Sequence, residues 1–191
     1  MDDFFLGDYI DTYSGLRMYP LDPRPDMVCF EDIAHALSQQ CRFAGHTSKF
    51  YSVAEHCVHV SRQVPEVYAQ AALMHDAAEA YLMDIPRPLK QFLWYMPNAL
   101  SMQHYKAYET ALLRVITDRF KLKWPWDGLP LEVTEADCRM LSTEYMALVN
   151  ENPPLSVRAF EPYVLSLGKW SPDKAKQAFW KRAKELEIAT I

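Results

Sequence analysis

The segments YSVAEHCVHV (51–60) and ALMHDAAEAY (72–81) set His56, His75, Asp76 and Glu79 among small and apolar residues that read as buried helix. An ionised carboxylate alone in an apolar interior is very costly, so such groups persist by pairing, strong hydrogen bonding or metal coordination. Further along, Val133, Asp137, Leu141, Glu144 and Leu148 put two more carboxylates on a core stripe, and Asp84 stands at the exit of the helix that carries His75. Two imidazoles with two carboxylates make a mixed nitrogen and oxygen donor set. That set suits divalent Mn, Co, Fe, Ni or Zn, and suits neither a soft thiolate site nor an all-oxygen calcium site. A single open centre of this kind lowers the pKa of a bound water and polarises a phosphoryl oxygen, while Glu79, one turn from the donors, can shuttle the proton.

The elements that must position these groups are helices. From Phe30 the pattern is helical, with Ile33 and Leu37 four apart, and it breaks at RFAGHTSKFY. A second helix opens at Ser52 with Glu55 three residues on, the spacing of a capping box. Stepping about 100° per residue, Val53, Cys57, Val60 and Val64 form one stripe, with His56 at its edge and turned inward. A third helix, from about Pro65 to Met83, is nearly continuous Ala, Leu, Met and Tyr, so it is expected in the centre with His75, Asp76 and Glu79 on adjoining surface. Pro86 and Pro88 stop it. Then follow a helix from about Asn98 to Phe120 with Tyr105, Tyr108, Leu112 and Ile116 inward, a loop KLKWPWDGLP, a helix from about Leu131 to Asn150, and a terminal helix from Ser171-Pro172 to about Glu187. The first 28 residues, rich in turn chemistry, suit a short hairpin or an extended arm.

Composition bounds the function. The 191 residues, half of them hydrophobic, suffice for one well-filled domain spanning 1–191. A net charge of −5 without basic clusters speaks for a small-molecule substrate and against nucleic acid. The four cysteines, at 29, 41, 57 and 138, form no Cys-x-x-Cys pair and read as reduced thiols. The acidic N-terminus lacks a signal-peptide pattern and no apolar run approaches a membrane span, so a soluble cytoplasmic protein without membrane contact is expected. Five glycines and no strand-loop-helix glycine motif exclude Rossmann and P-loop designs.

His56 in VAEHC, the His75-Asp76 pair in MHDAAE, and Asp137 in TEADCRML occur in the order and context that resemble the HD superfamily of metal-dependent phosphohydrolases, above all bacterial 5'-deoxynucleotidases and phage relatives that include dATP triphosphohydrolases. The resemblance spans roughly positions 30 to 150. It implies a compact, all-α HD-type fold with an N-terminal arm and a C-terminal helix packed on its core. It implies metal ligands His56, His75, Asp76 and Asp137, one divalent transition metal (Co, Mn or Zn, with Mg as a further choice), and Glu79 as the catalytic carboxylate. Arg42 and Phe43 correspond to the family's phosphate-binding and base-binding pair, and Asp84 to its sugar-reading aspartate, which takes the 3'-hydroxyl and leaves no room for a 2'-hydroxyl. Phe43 stands where the similar enzymes carry tryptophan, and the spacing of 19 positions from His56 to His75 implies a trimmed loop. Glu79 is followed by Ala80, unlike the His-Asp-x-x-Glu-Asp of alarmone hydrolases. His104 alone lies between the His-Asp pair and Asp137, which disfavours the two-metal phosphodiesterases.

Arg87 and Lys90, just past the helix end, offer two more cations for phosphates and tilt the expectation toward a dNTP, dATP first, cleaved to deoxynucleoside and triphosphate. The alternative is a 5'-deoxynucleotidase acting on dNMPs. From other classes come a non-catalytic nucleotide- or metal-binding regulator and a structural helical protein in which His56 and His75 are satisfied core residues. For Asp84 the bland alternative is a turn residue before proline. His59 is expected to be solvated or to support a ligand, His46 to line the substrate mouth, Glu144 to hold a ligand or an arginine, and the Trp124-Pro125-Trp126 loop to be a packing plug or oligomer contact. Exposed Trp94, Tyr95 and Trp124 are compatible with a homo-oligomer.

Overall fold

The computed structural model describes residues 7–98, 101–124, 128–168 and 170–188. The chain is predominantly helical, with two small antiparallel sheets. The first sheet pairs β1 (Ile10–Asp11) with β2 (Arg17–Met18), which gives the arm its hairpin form. Helix α1 (Phe30–Gln39) buries Phe30, Ile33, Ala34 and Leu37, a single face of a 3.6-residue period. Phe30 anchors it, edge-on to Phe120 at 5.7 Å and to Trp180 at 4.7 Å and stacked on Phe179 at 5.6 Å. Truncating such a residue to alanine removes about 3–5 kcal/mol of stability.

Helix α2 (Val53–Ser61) is the hub: it packs against α1, against α3 (Glu66–Met74), against α7 (Leu131–Leu148) and against α9 (Pro172–Glu185). One core, around Phe30, Leu37, Cys57, Leu73, Leu112, Ile116 and Phe179, lies on its α1 and α9 side; a smaller one, around Tyr51, Val60, Ala72, Val133 and Met140, lies on its α7 side. Ser52 Oγ accepts from Glu55 N–H at 3.1 Å, so α2 starts where the capping signal puts it. The reciprocal half of the box is absent, because the Glu55 carboxylate turns away and accepts from Gly168 N–H at 3.2 Å. Gly168 has φ +68°, and a Cβ there would meet Leu148 at 3.0 Å, so glycine is required for that approach.

Two expectations need correction. The third helix is not continuous to Met83: α3 ends at Met74, residues 75–78 pass through tight turns, and α4 (Glu79–Leu82) follows. The N–H groups of Ala77, Glu79 and Ala80 bond three residues back, to Met74, Asp76 and Ala77, tightening the path while keeping its direction. The helix expected from Asn98 begins instead at Tyr105. After α5 (Arg87–Lys90), β3 (Trp94–Asn98) pairs with β4 (Ser101–His104), and α6 (Tyr105–Arg119) starts where His104 caps the N–H of Lys106. Pro97 stands just before the expected start at Asn98, where a helix accepts proline, and it equally suits β3, an edge strand of a two-stranded ribbon. On α6, Leu112 and Ile116 are fully buried, whereas Tyr105 and Tyr108 are half-buried. After helix α8 (Leu155–Arg158), residues 161–167 carry no regular structure, and α9 follows. Trp124 packs against the larger core as a plug, and Pro125 and Trp126 lie outside the described residues. Among the described residues no helix is long and apolar enough to cross a membrane, and the four cysteines carry free thiols.

Candidate metal and active site

Three elements meet behind α2. His56 projects from its second turn, His75 and Asp76 from the exit of α3, and Asp137 from the second turn of α7. Their polar atoms converge. His56 Nε2 lies 3.3 Å from His75 Nε2, 3.2 Å from Asp137 Oδ1 and 3.6 Å from Asp76 Oδ2. His75 Nε2 lies 3.2 Å from Asp76 Oδ2 and 3.8 Å from Asp137 Oδ1.

The outer partners decide which nitrogen faces inward. His75 Nδ1 meets the Ala72 carbonyl oxygen at 2.8 Å, and a carbonyl only accepts, so Nδ1 carries the proton. His56 Nδ1 lies 2.5 Å from Glu144 Oε1 and donates to that carboxylate. In the neutral imidazoles both Nε2 lone pairs therefore face each other and two carboxylate oxygens across a few ångströms, and the raised pKa values of both rings express the same demand for positive charge. Four acceptors turned toward one point are mutually repulsive unless a cation lies among them. Ligand atoms about 2.0–2.2 Å from a divalent ion stand roughly 3.0–3.5 Å apart, close to the observed separations. The donor chemistry and the spacing of His56, His75 and Asp137 fit a divalent transition metal, and Asp76, within 3.2 Å of His75 Nε2 and 3.6 Å of His56 Nε2, stands beside them as a fourth donor. Cys57 Sγ lies beside His75 and Asp76, with burial pushing its pKa up, so the thiol stays neutral at the back of the group.

Glu144 organises the rear wall. It is fully buried and accepts from Arg42 Nε at 3.1 Å and from Tyr51 OH at 2.9 Å besides His56. Burial opposes its charge, but Arg42 and His56 outweigh that and hold its carboxyl below the usual range. Arg42 also approaches Asp76, with Nη1 3.6 Å from Oδ2. Burial disfavours the guanidinium, yet Glu144, Asp84, Asp76 and Asp137 keep its pKa well above the ordinary value. The same contest runs through the cluster. Burial works against a charge on His75, and Asp76 and Asp137 overcome it and raise the imidazole well above its ordinary pKa. Burial pushes Asp137 and Asp76 up, and the histidines pull both below the carboxylate range. The whole group favours positive charge at its centre.

Glu79 begins α4 almost fully buried; Lys90 Nζ donates to its Oε1 at 2.8 Å, and Oε2 is buried with no hydrogen-bond partner. Burial, then Asp76 and Asp84, push its pKa well above the ordinary value against the pull of Lys90. Gln40 staples this segment: its side-chain N–H donates to the Glu79 carbonyl at 2.9 Å, and its Oε1 accepts from Asp84 N–H at 3.0 Å. Asp84 itself is half-buried and follows Met83, whose φ of +70° turns the chain sharply out of α4.

The other expected substrate residues divide. Arg42 is at the cluster. Phe43 is half-buried at φ +57°, with its ring edge-on to Tyr145 at 6.0 Å and Arg42 5.7 Å from its centroid. Arg87 is exposed, whereas Lys90 is engaged by Glu79 and by Glu109 at 2.6 Å. His46 is exposed at the end of the 3-10 turn Phe43–Gly45, and His35 stacks on Tyr13 at 3.7 Å, away from the cluster. His59 is neither solvated nor supporting a ligand: it packs 5.2 Å from Trp170 and stands 3.7 Å from Glu55. Sequence reasoning missed Tyr51, Gln40 and Glu109. Tyr51 directly precedes the α2 cap and was open to notice; nothing local marks the other two.

No family model matches the sequence. Over 136 residues, 71% of this chain and 70% of the relative, it is 44% identical to the uncharacterized protein YfdR of Escherichia coli (strain K12). Over 86 residues it is 41% identical to an uncharacterized protein of Rhodobacter capsulatus, covering 40% of this chain and 44% of that relative. At that identity and coverage the chain belongs to the same family as YfdR.

Proposed function

We propose that the protein is a metal-dependent phosphohydrolase of the HD type that cleaves the 5' phosphoester of a 2'-deoxynucleotide. The observation that carries this is the convergence of His56 Nε2, His75 Nε2, Asp76 Oδ2 and Asp137 Oδ1, both imidazoles having their Nδ1 protons committed outward. A divalent metal held by these four groups supplies Lewis acidity toward a phosphoryl oxygen and a more acidic water. The chain's own residues supply the rest. Arg42, buried and beside Asp76, binds the phosphate. Glu79 accepts a proton from the attacking water as its oxygen bonds to phosphorus, then returns it to the 5' oxygen as the phosphorus–oxygen bond breaks. Asp84 receives the 3'-hydroxyl and crowds out a 2'-hydroxyl.

The number of phosphates divides two forms of this proposal. A triphosphate needs cations beyond Arg42, and Arg87 is exposed and free to serve. Lys90, already held by two carboxylates, favours the monophosphate form, a 5'-deoxynucleotidase. An HD-type helical fold, a cytoplasmic location beside the nucleotide pool and a homo-oligomeric state belong to the same proposal.

The test is a chromatographic product assay of purified protein with Mn, Co, Zn or Mg against the four dNTPs, the four dNMPs and the matched ribonucleotides. Deoxynucleoside with orthophosphate from dNMPs alone gives the nucleotidase; deoxynucleoside with tripolyphosphate from a dNTP gives the triphosphohydrolase. Absence of turnover with every metal and nucleotide sinks the proposal.

A further inference from the structure

Lys90 stands at the end of α5 between two acids from different elements. Its ammonium donates to Glu79 Oε1 from α4 and to Glu109 Oε1 from α6, and the Tyr105 ring lies 5.9 Å away. All three side chains are largely covered, Glu79 the most at 5% exposure against 22% for Lys90 and 20% for Glu109. A lysine meant to receive phosphate would have to leave two carboxylates uncompensated, and Glu109 would repel the arriving anion. The Glu79 backbone is meanwhile pinned by Gln40, and its Oε2 is buried without a partner. One carboxylate oxygen is fixed and the other left open.

We propose that Lys90, itself oriented by Glu109, is a positioning residue that fixes Glu79 through Oε1 and leaves Oε2 as the oxygen that handles the proton. The proposal rests on the hydrolytic reading of the site. It moves Lys90 from substrate binding to the support of Glu79, and adds Glu109, which touches neither metal ligands nor substrate. The proton passes from water to Oε2 and on to the leaving oxygen, and Lys90 neither gains nor loses one. Orientation of this kind counts because a misplacement of about 1 Å can cost on the order of 100-fold in rate.

The experiment uses the full chain with Mn and the variants Lys90→Met, Lys90→Arg and Glu109→Gln. It reads kcat and KM on a dNMP and a dNTP, Mn affinity by calorimetry, and, with diamagnetic Zn in place of Mn, the 15Nζ–H correlation of Lys90 by NMR. Lys90→Met is expected to lower kcat by roughly 10–100-fold. KM and Mn affinity should stay essentially unchanged, with the same factor on both substrates. Arg at this position should restore part of the loss, and Glu109→Gln should cause a smaller fall of the same kind; should Lys90→Met fail to fold, Glu109→Gln carries the test. A rise in KM with kcat unchanged, larger for the triphosphate, overturns the proposal and returns Lys90 to phosphate binding. The NMR signal separates the two levels of inference. If the wild type turns over no nucleotide, the hydrolytic reading falls; a slowly exchanging Lys90 ammonium lost in both Glu79→Gln and Glu109→Gln still supports the clamp, and a freely exchanging one overturns it.

Discussion

His56 and His59 sit three residues apart on α2, and their fates diverge. Both are withdrawn from solvent, and each faces a carboxylate. His56 meets Glu144, Asp76, Asp137 and His75, residues up to 88 positions away brought in by α3 and α7. His59 meets Glu55 from its own helix, loosely, and the side of Trp170; its Nε2 and Glu55 Oε2 are buried with no hydrogen-bond partner. The turn of about 100° per residue that separates them sends one toward α7 and the other toward the segment before α9. Donor type alone does not make a metal site. What distinguishes His56 is a second nitrogen committed outward, so that the first has nothing to meet but other acceptors.

Replacing His56 by alanine should produce the largest break in this comparison. Glu144 keeps Arg42 and Tyr51 as partners, so the rear wall retains its charge balance. Mn or Co should no longer raise the melting temperature, and activity should fall on the order of 1,000-fold or more, whereas His59→Ala should keep both. Equal metal content by mass spectrometry in the two variants would erase the distinction. Next in size, Glu79→Gln should retain Mn at wild-type stoichiometry and lose roughly 100–10,000-fold in turnover. A fully active Glu79→Gln enzyme would remove the proposed proton shuttle.

The parts of this molecule that were legible in the sequence are those whose signals are local. Ser52 and Glu55 mark the start of α2, Ser171-Pro172 the start of α9, and the period of Val133 to Leu148 marks α7; each is present at or within a residue or two of its expected place. Asp137 and Glu144 were legible as a pair because they are seven apart on one helix face, and they do reach the same cluster. The break at 75–78 was not. Ala, Met and Leu around it favour unbroken helix, and the tightening is visible only in the bonds that Ala77, Glu79 and Ala80 make. The ribbon of β3 and β4 is hidden because the helical period of Tyr105, Leu112 and Ile116 can be carried back to Asn98 through residues that include no proline or glycine to stop it. Gln40 and Glu109 carry no local signal, since their partners lie on other elements.

Glu144 gives a sharper version of the comparison. In Glu144→Gln the shape is kept and the amide oxygen can still accept from Tyr51 and His56, but the NH2 group then meets Arg42 donor to donor, and the imidazole loses its anionic acceptor. Mn affinity should weaken by roughly 10–100-fold while Asp76 and Asp137 continue to bind, and added metal should recover most of the turnover. Isothermal titration checks the affinity. A variant that binds Mn as the wild type does would mean that Glu144 serves packing and Arg42 rather than the ligand.

The smallest effect lies on the other side of the comparison. His59→Phe places an apolar ring against Trp170 and removes a buried nitrogen that has no hydrogen-bond partner, while Glu55 keeps its bond from Gly168. An unsatisfied buried polar atom costs about 1–3 kcal/mol, and the lost approach to Glu55, at 3.7 Å, is too long to be a hydrogen bond. Stability should therefore rise, by about 1 kcal/mol at the low end of that range because the His59 side chain retains some solvent contact, with metal affinity and turnover as in the wild type. Chemical denaturation with and without Mn measures both. A loss of metal binding in this variant would show that the two histidines are coupled through α2, and that the site reaches one turn further along the helix than its ligands do.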